Sequence, residues 1–104
     1  MREPPIKEIV EKIVEAFHPR RIVLFGSRAR GGAAPGSDVD LMVEMESDKP
    51  PRERVRAVDA LFADRRWSMD LVVCTPEEVE RSKDVLGTLL YTIAREGQVI
   101  YEQS

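Results

Sequence analysis

Residues 25–31, FGSRARG, and residues 37–41, SDVDL, decide the fold of this chain. The first segment closes a short β-rich run, residues 21–25, which a glycine then stops, and this pattern predicts a buried strand. A Gly-Gly pair and a Pro-Gly step after the arginines force a loop. The two segments therefore predict a strand, an arginine-rich turn, a loop and a second strand.

The second strand, predicted over residues 38–45, alternates in polarity. Asp38 and Asp40 share one side with Met42 and Glu44, while the odd-numbered residues are apolar and face the other side. Two carboxylates on one strand face can share a metal ion, and Mg²⁺ prefers hard oxygen ligands completed by water and substrate phosphates. Alone, an Asp-x-Asp is more often a solvated strand end, so the metal prediction depends on its conjunction with the Gly-Ser turn.

The turn after the first strand is suited to phosphate. Gly26 permits close backbone approach, and the following residues offer free N–H groups and the Ser27 hydroxyl to phosphate oxygens. Arg28 and Arg30 are candidate phosphate contacts, although arginines on an exposed turn are as often solvated. A local positive site on an acidic body favours a small polyanion such as a triphosphate.

Composition limits the class of protein. The chain has 104 residues, 42% hydrophobic and 34% charged, which is typical of one soluble globular domain. A net charge of −3 argues against strong nucleic-acid binding. No apolar run is long enough to span a membrane and no signal peptide is evident, so we expect a cytoplasmic protein. The single cysteine, Cys74, excludes an internal disulfide.

The order of elements predicts the fold class. The remaining predicted elements are a helix at 6–17, a polar loop at 46–51 that ends in two prolines, a helix whose apolar positions run from 55 to 62, a strand at 67–74, a helical region at 76–93 that a glycine can divide, and a last strand at 98–101. This order predicts an α/β (α+β) fold with a small mixed β-sheet and helices packed mainly on one face. The face that carries Asp38 and Asp40 is expected to stay open.

The two opening segments resemble the signature of the DNA polymerase beta-like nucleotidyltransferase superfamily. The resemblance is greatest to its minimal, single-domain group from bacteria and archaea, which includes antitoxins, and residues 95–101 are similar to the closing segment of that group. The resemblance covers nearly the whole chain. It therefore implies that residues 1–104 form a single minimal nucleotidyltransferase domain.

The resemblance also implies ligands. It places an NTP, usually ATP, with its phosphates at Gly26 and Ser27, and Arg28, Arg30 and Ser37 complete the candidate nucleotide-binding set. One or two Mg²⁺ ions would lie on the aspartates.

Members of the superfamily need a third carboxylate on a neighbouring strand, and the resemblance assigns this role to Asp70. The residues alone leave Asp70 equally well explained as a solvated strand start. With the resemblance, Asp38, Asp40 and Asp70 are the predicted catalytic and metal-binding residues, and Asp70 could accept the proton of the acceptor. Asp59 and Asp64 fall on the polar side of a helix and are interpreted as solvated.

The resemblance further implies a partner. Minimal members often accompany a helical HEPN-domain protein as an antitoxin–toxin pair, and some adenylylate that partner on tyrosine. We therefore expect transfer of AMP from ATP to a hydroxyl of a HEPN toxin. Two alternatives stay open: a non-catalytic antitoxin, and an antibiotic nucleotidyltransferase completed by a separate subunit. The acceptor, the preferred nucleotide and the formation of a homo-oligomer are also open.

Overall fold

The computed structural model describes residues 5–29, 31 and 38–104. In chain order the elements are α1 (Ile6–Phe17), β1 (Arg21–Phe25), β2 (Val39–Glu44), α2 (Pro51–Asp59), a 3₁₀ turn (Ala60–Phe62), β3 (Met69–Cys74), α3 (Pro76–Ser82), α4 (Leu89–Glu96) and β4 (Gln98–Glu102). The predicted elements are all present within a few residues of their expected bounds. α2 differs at its start, because Pro51, which was predicted to end the preceding loop, is its first residue.

The strands form one mixed sheet in the order β3-β2-β1-β4. β1 lies antiparallel to both β2 and β4, whereas β2 and β3 are parallel. A parallel pair needs a crossover connection, which α2 and the 3₁₀ turn supply. In the parallel register Asp40 lies directly opposite Asp70, and in the antiparallel register Phe25 lies opposite Asp40. The topology therefore brings Asp40 and Asp70 together beside the end of β1.

The larger core lies on the face of the sheet that the odd-numbered β2 residues share. Ile9 and Ile13 of α1 and Val58 of α2 are almost completely buried there. Their spacing explains the two amphipathic helices, because residues three to four positions apart share one helix face. The structure confirms the predicted fold class, an α/β fold with a small mixed sheet, and the larger core lies on the face that α1 and α2 cover.

The opposite face is not fully open, which corrects one expectation. Val79 of α3 and Ile93 of α4 pack there against a smaller core, which also contains Val23, Met42 and Cys74. The physical reason is that this face also carries apolar side chains, such as Val23 and Met42, which need cover. The end of the face that carries the aspartates lacks this cover, since Asp38 and Asp70 are exposed.

The two short helices of this cover begin with side-chain caps. The Thr75 hydroxyl accepts a hydrogen bond from the N–H of Glu78, and the Glu78 carboxylate accepts one from the N–H of Thr75. The run Thr75-Pro76-Glu77-Glu78 predicts this reciprocal capping box, with threonine as the cap and glutamate three residues later, and the structure confirms it. Gly87, at a φ of 94°, separates α3 from α4, which confirms the predicted break.

In the part of the chain that the structure describes, none of the helices combines the length and the apolar character needed to cross a bilayer.

Candidate active site

Three carboxylates form a cluster at one end of the sheet. Asp38, Asp40 and Asp70 each offer one carboxylate oxygen, and these oxygens lie within 4.8 Å of one another. Asp40 and Asp70 meet because they are register partners across the parallel β2–β3 pair. Asp38 joins them because it lies two residues before Asp40, on the same side of the chain. The structure thus brings together the three residues that were predicted to act together.

The cluster has the chemistry of a site for a hard divalent cation. Asp38 and Asp70 are exposed and Asp40 is half-buried, so the oxygens are open to solvent and substrate. Like charges at this separation repel, and a cation between them removes that cost. Carboxylates on a rigid sheet, with free space for water and phosphate oxygens, are the ligand set that Mg²⁺ prefers. The three residues therefore fit the implied metal.

Gly26 packs directly against the carboxylate of Asp40. It has a φ of 75°, and a Cβ built at this position would overlap Oδ2 of Asp40. Only glycine therefore combines the left-handed backbone with the space that the Asp40 carboxylate occupies. This contact is a feature that sequence reasoning missed, because it assigned Gly26 only to the approach of phosphate.

The predicted phosphate-binding residues are divided between described and undescribed parts of the chain. Ser27 and Arg28 lie in a half-buried turn immediately after Gly26, and the N–H of Gly31 donates to the carbonyl of Arg28 at 3.3 Å. Arg28 already has an interaction partner in the chain. Arg30 and Ser37 lie outside the described residues, so their assignment stays a prediction.

A fourth carboxylate on the same sheet face, that of Glu44, has a structural role. Glu44 is only 3% exposed and accepts a hydrogen bond from Arg21 Nη1 at 3.1 Å. Arg21 also bonds Glu102 at 2.7 Å, and this bond is the main cause that raises the pKa of the Arg21 guanidinium. Glu44 lies four positions along β2 from Asp40, about 13 Å away, so its charge is neutralised far from the cluster.

Two residues with reactive side chains lie outside the site. Cys74 is buried, and burial is the main cause that raises the pKa of its thiol to about 11. The thiol is therefore protonated at neutral pH and is a poor nucleophile. His18 is exposed and ends α1 in a left-handed conformation, with its N–H donating to the carbonyl of Val14.

A mixed sheet that gathers three carboxylates beside a glycine-serine turn defines a nucleotidyl-transfer domain. Residues 6–93 match the model of the nucleotidyltransferase domain family, and the chain belongs to that family. This match confirms the superfamily to which the opening segments were assigned, and it makes the chain a transferase of the nucleotidyl-transfer kind.

Solved structures support the fold. One similar structure is that of a "putative nucleotidyltransferase" from Sulfolobus solfataricus, with a TM-score of 0.67 and 23% sequence identity. The alignment covers 94% of this chain and 78% of that chain. At this identity the similarity concerns the fold. A search of curated proteins gave no significant match.

Proposed function

We propose that this chain transfers AMP from ATP, in a Mg²⁺-dependent reaction, to a hydroxyl group on a partner protein. The observation that carries the proposal is the cluster of Asp38, Asp40 and Asp70 beside the Gly26 turn. Family membership supports nucleotidyl transfer, and the ligand chemistry of the cluster supports Mg²⁺.

The residues of the chain divide the work. The three aspartates would hold the metal, which supplies charge neutralisation for the triphosphate and the departing pyrophosphate when bound. The backbone after Gly26 and the Ser27 hydroxyl hold phosphate oxygens and so fix the direction of the α-phosphate. Positioning and electrostatic stabilisation provide most of the rate enhancement in such transfers.

The chemical step is an in-line substitution. The acceptor oxygen forms a bond to the α-phosphorus, the bond between the α-phosphorus and the bridging oxygen breaks, and pyrophosphate leaves with that electron pair. The proton of the hydroxyl passes to the Asp70 carboxylate, which is exposed and therefore accessible to an acceptor.

We further propose that the acceptor is a HEPN-domain toxin and that this chain is its antitoxin. The resemblance of residues 95–101 to the minimal group supports this assignment. A second support is a patch of exposed apolar side chains around the α3–α4 connection, which is suited to protein contact. Its members are Val85, Leu86 and Leu89, and Leu86 is 79% exposed.

The exposed patch also serves the rival function, an antitoxin that neutralises its partner by contact alone. One experiment separates the two functions. The chain is incubated with α-labelled ATP, Mg²⁺ and a purified HEPN protein, and the label on tyrosine is measured beside toxin activity. Labelling together with neutralisation supports transfer. Neutralisation by the wild-type chain without any label supports the binding function.

A further inference from the structure

We propose that the acceptor binds as an added β-strand along the outer edge of β3, with its hydroxyl beside Asp70. This inference rests on the proposed function and names the class of acceptor: an extended, hydroxyl-bearing peptide segment. Strand addition at a sheet edge is a recurring mode of peptide recognition, in which backbone hydrogen bonds supply affinity and alternate side chains supply specificity.

The backbone of β3 has one paired side and one outer side. β3 lies at the edge of the sheet, and β2 is its one partner among the described strands. Its even-numbered carbonyls bond inward, as the bonds at its two ends show: Ser68 O accepts from Val39 N at 3.0 Å, and Cys74 O accepts from Met45 N at 2.9 Å. In a parallel pair the backbone groups of the intervening residues point away from the partner strand.

Arg54 marks where the outer side is closed. Its Nη1 donates to the carbonyl of Val73 from outside the sheet at 3.3 Å. The next outward residue toward the cluster is Leu71, and no described residue outside the sheet bonds to its N–H or carbonyl. An open donor and acceptor therefore lie directly beside Asp70, as strand addition requires.

A depression of about 390 Å³ follows this edge. Its lining includes Leu71 and Val55 from the side of the larger core, and Val72 and Leu90 from the side of the aspartates. An added strand directs alternate side chains to both sides of a sheet. The depression therefore offers apolar contact on both sides of the edge.

Charge defines the occupant further. Arg52 lines the depression, and no ion pair joins this exposed side chain to another described residue. Arg52 belongs to the first turn of α2, near Arg54. Because Arg54 bonds to Val73, Arg52 lies at the end of the depression that is farther from Asp70. An acceptor residue opposite Asp70 places its Cβ about 5 Å from that of Asp70, on the same face. The fitting segment thus carries its hydroxyl near Asp70 and an acidic side chain three residues along, which alternation directs to the face that α2 covers.

The test compares two synthetic peptides on the wild-type chain with Mg²⁺. The first peptide has about eight residues, with alternating valines, one tyrosine and a glutamate at the expected spacing. The second is the same peptide with N-methyl groups on the edge-facing amides, which blocks strand addition. We expect label transfer from α-labelled ATP to the first peptide at least ten times faster than to the second. With a non-hydrolysable ATP analogue, only the first should slow hydrogen exchange at the Leu71 amide.

Equal labelling of the two peptides, or unchanged exchange at Leu71, would overturn the added strand. The exchange measurement needs no catalysis. Slowed exchange without any labelled product would therefore count against the proposed transfer while supporting the docking mode.

A charge reversal tests whether Arg52 contacts the acidic side chain of the peptide. Arg52→Glu should weaken binding of the glutamate peptide about five-fold and improve binding of a lysine peptide, whereas Arg56→Glu, an exposed arginine on the same helix outside the depression, should change neither. Equal effects of the two substitutions would contradict the placement of the acidic side chain beside Arg52.

Discussion

The single residue that best separates catalysis from folding is Asp70. Asp70→Asn keeps size and shape but removes the proton acceptor, so we expect transfer to fall by ~10²–10⁴-fold. Folding stability should be unchanged or slightly higher, because repulsion within the cluster is relieved. Label transfer and a thermal melt measure the two effects. Asp64→Asn, an exposed acid outside the cluster, is the control, and a mutant with wild-type transfer would remove Asp70 from the reaction.

Asp40 should matter for binding. Asp40→Asn removes one charge from the metal ligands, and we expect the Mg²⁺-dependent affinity for ATP to fall at least ~10-fold, since loss of even a supporting partner of a metal ligand has that effect. Calorimetry with and without Mg²⁺ measures it. Equal Mg²⁺-dependent affinity in the mutant and the wild type would refute the metal assignment.

We expect Gly26 to be required for its contact with Asp40, and a comparison with Gly87 separates this contact from backbone strain. Gly26→Ala and Gly87→Ala both place a side chain on a left-handed backbone, at φ of 75° and 94°, which costs about 1–2 kcal/mol. Only at Gly26 does the new Cβ overlap Asp40, whereas nothing lies within 4 Å at Gly87. We therefore expect a loss of Mg²⁺-dependent ATP binding in the first variant alone. Similar ATP affinity in both variants would show that the contact with Asp40 is dispensable.

The sequence predicts these residues unequally. Asp38 and Asp40 follow from the alternation of one strand, which is local information. The contact of Gly26 with Asp40 depends on the β1–β2 register, and the pairing of Asp70 with Asp40 depends on a parallel crossover. Local pattern leaves such contacts undetermined, and for Asp70 only the family resemblance separated function from a solvated strand start.

Elements show the same division between local and long-range information. The capping box of α3 is a four-residue pattern, and it is predicted correctly. The start of α2 was wrongly placed, because two prolines were interpreted as a loop end. Pro51 is instead the first helical residue, where its missing N–H costs nothing.

The contact that joins α2 to α3 makes stability depend on pH. Arg54, which is 6% exposed, donates to Glu78 at 2.7 Å, and this bond is the main cause that lowers the pKa of Glu78. A carboxyl whose folded pKa lies below its unfolded value of about 4.3 stabilises the fold above that pH and loses the contribution as the pH falls through the folded pKa.

Glu78→Gln should therefore lower the free energy of unfolding by about 1–2 kcal/mol at pH 7, and the difference from the wild type should shrink below about pH 4. Urea unfolding across this range measures it. Glu77→Gln removes an exposed neighbour that pairs with Arg81 in its own helix, and it should change stability by less than about 0.5 kcal/mol. A difference that persists undiminished at acid pH would exclude the ion pair as its origin.

At the scale of the whole molecule, the exposed apolar patch should hold the partner protein. Leu86→Glu should reduce recovery of a co-purifying helical partner at least ~10-fold, because a charge would be buried unpaired in the interface. The melting temperature should hardly change, since Leu86 is largely exposed. Val99→Glu alters another exposed apolar residue, on β4, and is the control. Native affinity purification with mass spectrometry is the measurement, and undiminished recovery would place the interface elsewhere.

The fold class and the nucleotidyltransferase family were within reach of the sequence, because both are encoded in the order of elements and in two short segments. The cover on the second sheet face was missed, since it depends on where Val79 and Ile93 pack after the chain has turned back. The identity of the acceptor is the property that the sequence predicts least. It depends on the surface of this chain and on the partner molecule, and no short motif records either.

Because Asp40 and Asp70 are direct register partners, the effect of an inserted residue on the site depends on whether it falls within a strand or in a connection. One extra residue within β3, ahead of Asp70, would turn that carboxylate to the buried face of the sheet, because side chains alternate along a strand. Extra residues in the connection between α2 and β3 would leave the pairing intact, since a surface loop absorbs length at small entropic cost. Insertions and deletions in the lineage of this protein should therefore accumulate in the connections, while the short strands around the carboxylates keep a fixed length.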